Sequence, residues 1–331
     1  MIQDKNIPVL NSLRAIAALS VCLYHYVCTV TGLVNSEYAI NIFSFGKYGV
    51  QMFFVISGFI IPWSLFHSSY TIKHYFTFVA KRFIRLEPPY IVSLICAIIY
   101  TYIRLRSPHY NGVDTTPTAR QIALHFGYLI PFFKDEHWIR PVYWTLAIEF
   151  QYYLSIGIFF PLIASKKMYL RFISYAIILS GPVFMNSFLP YHLPVFLLGI
   201  SLFLYKAKII QWQELLVLTA ASSFEILFYH DIGTFAFSAV AHISILFFTQ
   251  FKNKLLSFLG DISYSIYLFH SITGVLILNY CAHLMLSPFY KVLLIIAAVC
   301  ITILSAYIVY RVIELPSKRL SSRIKYKKLK K

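Results

Sequence analysis

The sequence predicts an all-α membrane protein, a polytopic bundle of about ten transmembrane helices with both termini cytoplasmic. Three observations carry that expectation. Hydrophobic residues make up 59% of the 331 and charged ones 12%, where soluble domains carry about 25% charged residues. The mean hydropathy is +0.70, and apolar runs long enough to cross about 30 Å of hydrocarbon recur along the whole length. The basic excess, 29 Lys and Arg against 12 Asp and Glu, is spread loop by loop and points to topology, with no nucleic-acid partner. Cytosolic enzymes and histone-like proteins are excluded on composition.

The elements follow from the apolar runs and the breaks between them. The first, 7–30, is longer than the core of a signal peptide, has no small-residue cleavage pattern and holds Arg14 and His25, so it reads as a retained span. The second runs over 46–66. The third, 84–103, opens at Pro88 and Pro89, which predict a kink or a late start. A polar connection at 104–141 contains Pro108, Pro117 and a moderately apolar piece at 123–130, expected as a half-span or interfacial helix. The fourth span is 142–163. It is followed by 170–188, by a short 191–205 expected to be tilted or broken, and by 213–229, 234–250, 258–280 and 290–313. No fixed-period repeat divides the chain, which reads as one domain over 1–331 ending in a basic cytoplasmic tail at 317–331. Cys22, Cys28, Cys96, Cys281 and Cys300 form no CxxC pair and read as packing residues, with neither metal site nor disulfide expected.

Orientation follows from where Lys and Arg fall, because basic loops stay cytoplasmic. Lys5, Lys73, Lys81, Arg82, Arg85, Lys166, Lys167, Arg171, Lys206, Lys208, Lys252, Lys254 and the basic residues from Arg311 to Lys331 share the side of both termini. They are 21 of the 29. The tail RIKYKKLKK at 323–331 is expected to be solvated and to rest against anionic headgroups, each basic residue near the surface contributing about 1 kcal/mol.

A charge at bilayer depth marks a function or a pairing. Arg14 and His25 lie eleven residues apart in the first span, which at about 100° per residue is within about 20° of three whole turns. They face one direction, about 16 Å apart along the axis, with the small Ala18 and Cys22 between them. Glu149 in the fourth span reaches a depth similar to that of His25, where a carboxylate can orient an imidazole acting as general base. The alternative is that these polar residues are satisfied separately as packing. At the inner mouth of the third span, Arg82 and Arg85 share a helix face, and forked guanidiniums suit phosphate oxygens; Glu87 is a candidate partner for one of them. Ser57 and Gly58 lie mid-membrane, where small residues allow close helix approach or a pocket. His270 is a mid-span histidine, and Arg311 and Glu314 stand at ion-pair spacing. Glu225, His192 and His242 have no evident role.

Six stretches in order give these residues a context: the segment at 13–19 with its Arg14-x10-His25 spacing, GVQMFFVISGF at 49–59, RFIR at 82–85 with the following prolines and Tyr90, WTLAIEFQYY at 144–153, ISYSIYLFH at 262–270, and YRVIELP at 310–316. Together they resemble the acyltransferase-3 family of integral membrane acyltransferases, over nearly the whole chain. The resemblance implies a ten-helix core in the plasma membrane, the inner membrane of a bacterium. It implies transfer of an acyl group, usually acetyl from acetyl-CoA, to a hydroxyl of an exported or cell-surface carbohydrate.

By position, the resemblance makes His25 the catalytic histidine, Arg14 its motif partner and Glu149 the glutamate of the Trp-containing segment. Arg82 and Arg85, with Ser57 and Tyr90, fall on the donor side. Trp144, Tyr264 and His270 lie in segments expected to meet substrate. Many members carry an acidic residue three positions before the motif arginine, followed by glycine, where this chain has Asn11 and Ser12, so what neutralises Arg14 is left open. The expected mechanism is attack of the acceptor hydroxyl on the thioester with His25 as base; an acyl-histidine intermediate is the alternative. The 331 residues leave no room for the esterase-like domain that some members carry, so transfer is expected to finish in the membrane core or on a separate partner. Aromatic and imidazole side chains near 104–141, namely His109, Tyr110, His137, Trp138 and Tyr143, are candidate sugar contacts. The rival class is a transporter or flippase that uses the same buried charges as a path; the inverted repeats of such proteins are not evident. A third reading, a structural or regulatory membrane partner, predicts that the buried polar set tolerates substitution.

Overall fold

Away from water, backbone N–H and C=O groups must be satisfied within a segment, so each apolar run closes on itself as a helix. The computed structural model describes residues 7–106, 116–284 and 286–326, and among these there is no strand. His109, Tyr110 and tail residues 327–331 lie outside the described residues. The helices are α1 Val9–Tyr24, α2 Glu37–Ser44, α3 Gly49–His67, α4 Tyr75–Leu105, α5 Ala119–Phe126, α6 Trp144–Ile163, α7 Met168–Phe184, α8 Phe188–Lys206, α9 Trp212–Tyr229, α10 Ile232–Phe247, α11 Lys254–Asp261, α12 Ser263–Phe269, α13 Gly274–Cys281, α14 Pro288–Val309 and α15 Leu315–Arg323. Several starts are fixed by side-chain caps in the polar turns: Ser36 for α2, Thr118 for α5, Asp231 for α10 and Asn253 for α11 accept from the backbone N–H three residues on.

The protein is a multi-pass helical membrane protein. Among the described residues, six helical stretches are long and apolar enough to cross a bilayer: Val9–Thr29, Glu37–His67, Ile72–Leu105, Pro141–Ile163, Phe188–Lys206 and Pro288–Arg323. A seventh arises when Lys254–Asp261 and Ser263–Cys281, bent by 57°, are taken as one broken span, while α7 and α10 are apolar but shorter. All ten apolar runs of the sequence are helical; they differ in length. The last span is the most apolar, yet only 17% of its apolar window is buried inside the protein, which is the signature of a helix whose other face meets lipid.

Four local features differ from the sequence expectation. α2 occupies a segment that reads as loop. α4 begins nine residues early and runs through Pro88 and Pro89 without stopping; the prolines withhold donors from the Ile84 and Arg85 carbonyls, a loss that neighbouring groups can absorb in a bilayer helix, and the adjacent Leu86 carbonyl accepts from the Tyr264 hydroxyl at 2.9 Å. The ninth run is divided into α11, α12 and α13, with an unwound turn starting at His270. The tail is not wholly solvated, because α15 docks on α4: Ser321 Oγ donates to the Lys81 carbonyl at 2.8 Å, and Lys81 Nζ donates to the Ile324 carbonyl at 2.8 Å.

The centre is the crossing of α3 and α8. Gly58 and Gly199 let the two backbones touch: a Cβ on Gly58 would strike the Phe196 carbonyl, and one on Gly199 the Val55 carbonyl and the Phe59 nitrogen. α1, α6 and α10 pack around this pair. Away from the crossing, α3, α4, α6 and α12 leave room for a cavity.

Candidate active site

The cavity is about 420 Å³ and follows α3 from Val50 to Ser68, eighteen residues or about 27 Å of helix axis. One end is basic. Arg14 from α1 meets Arg82 and Arg85 from α4 there, with Ser64, His67 and Ser68 of α3 and the loop after it opposite. The spacing of Arg82 and Arg85 puts both on one face of α4. Arg82 also lies over the Phe78 and Tyr153 rings, each 5.6 Å from its centroid. Among the described residues no carboxylate forms an ion pair with any of the three arginines. Glu87 is buried beside Tyr128 instead. Glu314 is taken by Lys318 at 2.6 Å and by the Ser265 hydroxyl at 2.6 Å, which replaces the expected Arg311 pairing. Asn11, in place of the familiar acid, donates to Asp261 of α11 at 2.9 Å. Three unpaired guanidiniums at a cavity mouth attract an anion.

Midway along the cavity Glu149 accepts from the Ser57 hydroxyl at 3.0 Å and from the Tyr153 hydroxyl one turn further along α6. Both bonds go to Oε1, so Oε2 keeps acceptor capacity for a visiting N–H or O–H donor. The remaining wall is Tyr264, Leu86, Leu146 and Ile60, and the far end is closed by Phe53, Phe54, Thr145 and Tyr267.

His25 and His270 form a pair just beyond that end. His25 opens a π-helical turn, His25–Thr29, that follows α1, an irregularity common at functional positions. His270 closes α12, and its backbone is pinned by the Tyr26 hydroxyl, which donates to the His270 carbonyl at 3.3 Å. His270 Nδ1 lies 2.7 Å from the Tyr267 carbonyl, so this nitrogen carries the proton and Nε2 is left as an acceptor. His25 Nδ1 lies 2.8 Å from the Val21 carbonyl and 3.2 Å from His270 Nε2. A carbonyl can only accept, so Nδ1 of His25 is also the protonated nitrogen, and its Nε2 presents a free lone pair.

A family model described as an acyltransferase domain matches residues 7–311. The chain belongs to the acyltransferase-3 family. It is a membrane acyltransferase, as the ordered motifs imply. Searches of curated proteins and of solved structures returned no match.

In this acyltransferase, Arg14, Arg82, Arg85, Ser57, Glu149 and Tyr264 converge on one cavity, and His25 meets His270 beside it. Glu149 is not the group that holds His25: its carboxylate is engaged by Ser57 and Tyr153, and the imidazole is held by His270. Tyr90 lies away from the cavity, stacked on Tyr128 with centroids 5.0 Å apart and donating to the His125 carbonyl at 3.2 Å. Trp144 packs against Phe54 and His192. Tyr143 and Trp138, read as sugar contacts, pack against the buried His125. His192 and His242 sit in helix contacts, His242 Nδ1 being 3.1 Å from the Leu198 carbonyl. Sequence reasoning passed over Tyr153, Thr145 and Tyr267. Tyr153 is one turn from Glu149 and Tyr267 one turn from Tyr264, so helical spacing from residues already chosen was the available signal. Among the described residues no group of three His, Cys, Asp or Glu side chains is placed to hold a metal.

Proposed function

We propose that this acyltransferase moves an acetyl group from cytoplasmic acetyl-CoA to a hydroxyl of an exported or cell-surface carbohydrate, with His25 as general base. The reading takes the ten helical runs as ten crossings in the plasma membrane, the inner membrane of a bacterium, with both termini and the arginine-lined mouth on the cytoplasmic side, where the basic loops gather. The observation that carries it is the cavity leading from Arg14, Arg82 and Arg85 toward the His25–His270 pair. An anionic group at one end, a slender arm about 27 Å deep at most and a reacting carbonyl at the other end match a nucleotide thioester.

The donor phosphates bind Arg82 and Arg85, with Arg14 deeper in the mouth, and the pantetheine arm follows α3. Its amide N–H groups find an acceptor in Glu149 Oε2. At the far end His25 Nε2 takes the proton of the acceptor hydroxyl as that oxygen attacks the thioester carbonyl. The tetrahedral intermediate collapses with cleavage of the C–S bond, and the thiolate takes the proton back from His25. The Nδ1–H of His25 is shared between the Val21 carbonyl and His270 Nε2 throughout, which fixes the tautomer and supports the imidazolium as it forms.

Radiolabelled acetyl-CoA supplied to vesicles carrying the protein tests the reading. Label should appear on membrane-associated glycan, and His25→Ala should abolish it while the protein still inserts. Transfer by His25→Ala at the wild-type rate would remove the assignment.

A further inference from the structure

The donor cavity and the His25–His270 pair are neighbours that do not meet. Neither histidine lines the cavity, whose lining on that side includes Val50, Phe53, Thr145 and Tyr267. The Tyr267 ring neighbours both compartments: its centroid is 5.9 Å from that of Phe53 in the cavity lining and 5.9 Å from that of His270. The ring is held at its tip by a different helix. Its hydroxyl donates to the Val142 carbonyl at 3.0 Å and lies 2.6 Å from Thr145 Oγ1. The Thr145 hydroxyl also lies 3.1 Å from the Val142 carbonyl, so the two hydroxyls share that acceptor and either can donate across the short contact between them.

We propose that Tyr267, latched by Thr145 and the Val142 carbonyl, is a partition that separates the donor cavity from the catalytic histidine, and that releasing this latch joins the two compartments. The identity of the donor in that cavity rests on the function proposed above; the partition itself does not. The physical advantage lies in the chemistry of a thioester. Water that shares a compartment with it and with a histidine base adds to the carbonyl, the C–S bond breaks, and acetate and free CoA thiol leave with no acceptor modified. A side chain that closes the passage excludes that side reaction. Two hydrogen bonds to the start of α6 make the closed position definite, and both break together when the hydroxyl withdraws.

The test reads access without requiring activity. His25→Cys is introduced into a chain whose five native cysteines are replaced by Ala, and a charged thiosulfonate reagent is supplied only on the side onto which the arginine mouth opens. With Tyr267 and Thr145 intact, labelling should stay at the level of the cysteine-free chain. Tyr267→Ala should raise the rate by about tenfold or more, and Thr145→Val, which keeps the ring and removes one latch bond, should raise it by a smaller factor. Equal labelling in all three chains overturns the partition, and Thr145→Val decides the matter should Tyr267→Ala fail to fold.

A second measurement, release of CoA thiol from acetyl-CoA with no acceptor present, separates this idea from the function it rests on. Raised labelling with faster thiol release in Tyr267→Ala supports both. Raised labelling with no thiol release supports the partition and overturns acetyl-CoA as the donor.

Discussion

His270 Nε2 lies 3.2 Å from His25 Nδ1, although 245 residues separate the two in the chain. His270 Nδ1 is committed to the Tyr267 carbonyl, and the one Nδ1–H of His25 is shared between the Val21 carbonyl at 2.8 Å and His270 Nε2, which leaves the free lone pair on His25 Nε2. His270 is therefore a positioning residue. His270→Ala should lower kcat for acetyl transfer by about 10²-fold, the lower part of the range for general-base assistance, and leave the donor KM close to wild type. Steady-state kinetics in vesicles with labelled acetyl-CoA check the split.

The unpaired arginines predict a donor effect. Arg82→Ala or Arg85→Ala removes one charge-assisted contact, of about 1.5–3 kcal/mol, and should raise the acetyl-CoA KM by about tenfold or more with kcat little altered. Acetyl-pantetheine, which has no phosphates to lose, should show no such change. A KM increase of equal size for both donors would place the arginines' effect elsewhere.

Glu149 makes a contrasting case. It lines the donor cavity and holds Ser57 and Tyr153, with no hydrogen bond to His25. Glu149→Gln should raise the donor KM several-fold while kcat stays within about threefold of wild type, since one neutral hydrogen bond is worth about 1 kcal/mol. A collapse of kcat with unchanged KM would return Glu149 to the role of partner for the base.

The α3–α8 crossing predicts a folding defect with no chemistry in it. Gly199→Val puts side-chain atoms where the Val55 carbonyl and the Phe59 nitrogen lie. The helices must part, and overpacking of this kind costs about 1–3 kcal/mol or more. The variant should lose its monodisperse peak on size-exclusion chromatography in detergent.

Arg171 and Glu214 form a forked pair, Nε to Oε1 at 2.9 Å and Nη2 to Oε2 at 2.7 Å, and Tyr175 donates to the same carboxylate at 2.9 Å. They tie α7 to α9. Glu214→Ala leaves a nearly buried guanidinium without its partner and should cost about 3 kcal/mol, seen as a lower midpoint for thermal unfolding in detergent with the donor KM unchanged.

The class of fold was legible because it depends on sums along the chain. A run's apolar length decides whether it crosses a bilayer, and the distribution of Lys and Arg by loop gives an orientation to test. The residues that line the cavity were legible for a related reason: Arg82 and Arg85 share a face by spacing, and the ordered motifs singled out Ser57, Glu149 and Tyr264 as well, though for different roles. The start of α4 was misread because proline was judged by its local cost in isolation, while in the packed bundle the helix runs on through both prolines. The breaks at His25 and His270 had no sequence signal, since a π-helical turn and an unwound turn arise from what packs against them.

The sequence by itself determined that this is a helical membrane protein of the acyltransferase-3 family with a few buried charges. Only the tertiary structure decided which of those charges meet. Rise per residue put Glu149 at a depth similar to that of His25, but where and at what angle a helix presents a side chain depends on how helices far apart in sequence pack, as α3 and α8 do at Gly58 and Gly199. The outcome gives Glu149 to Ser57 and Tyr153 in the cavity, His25 to His270 beside it, and Tyr267 the place between them.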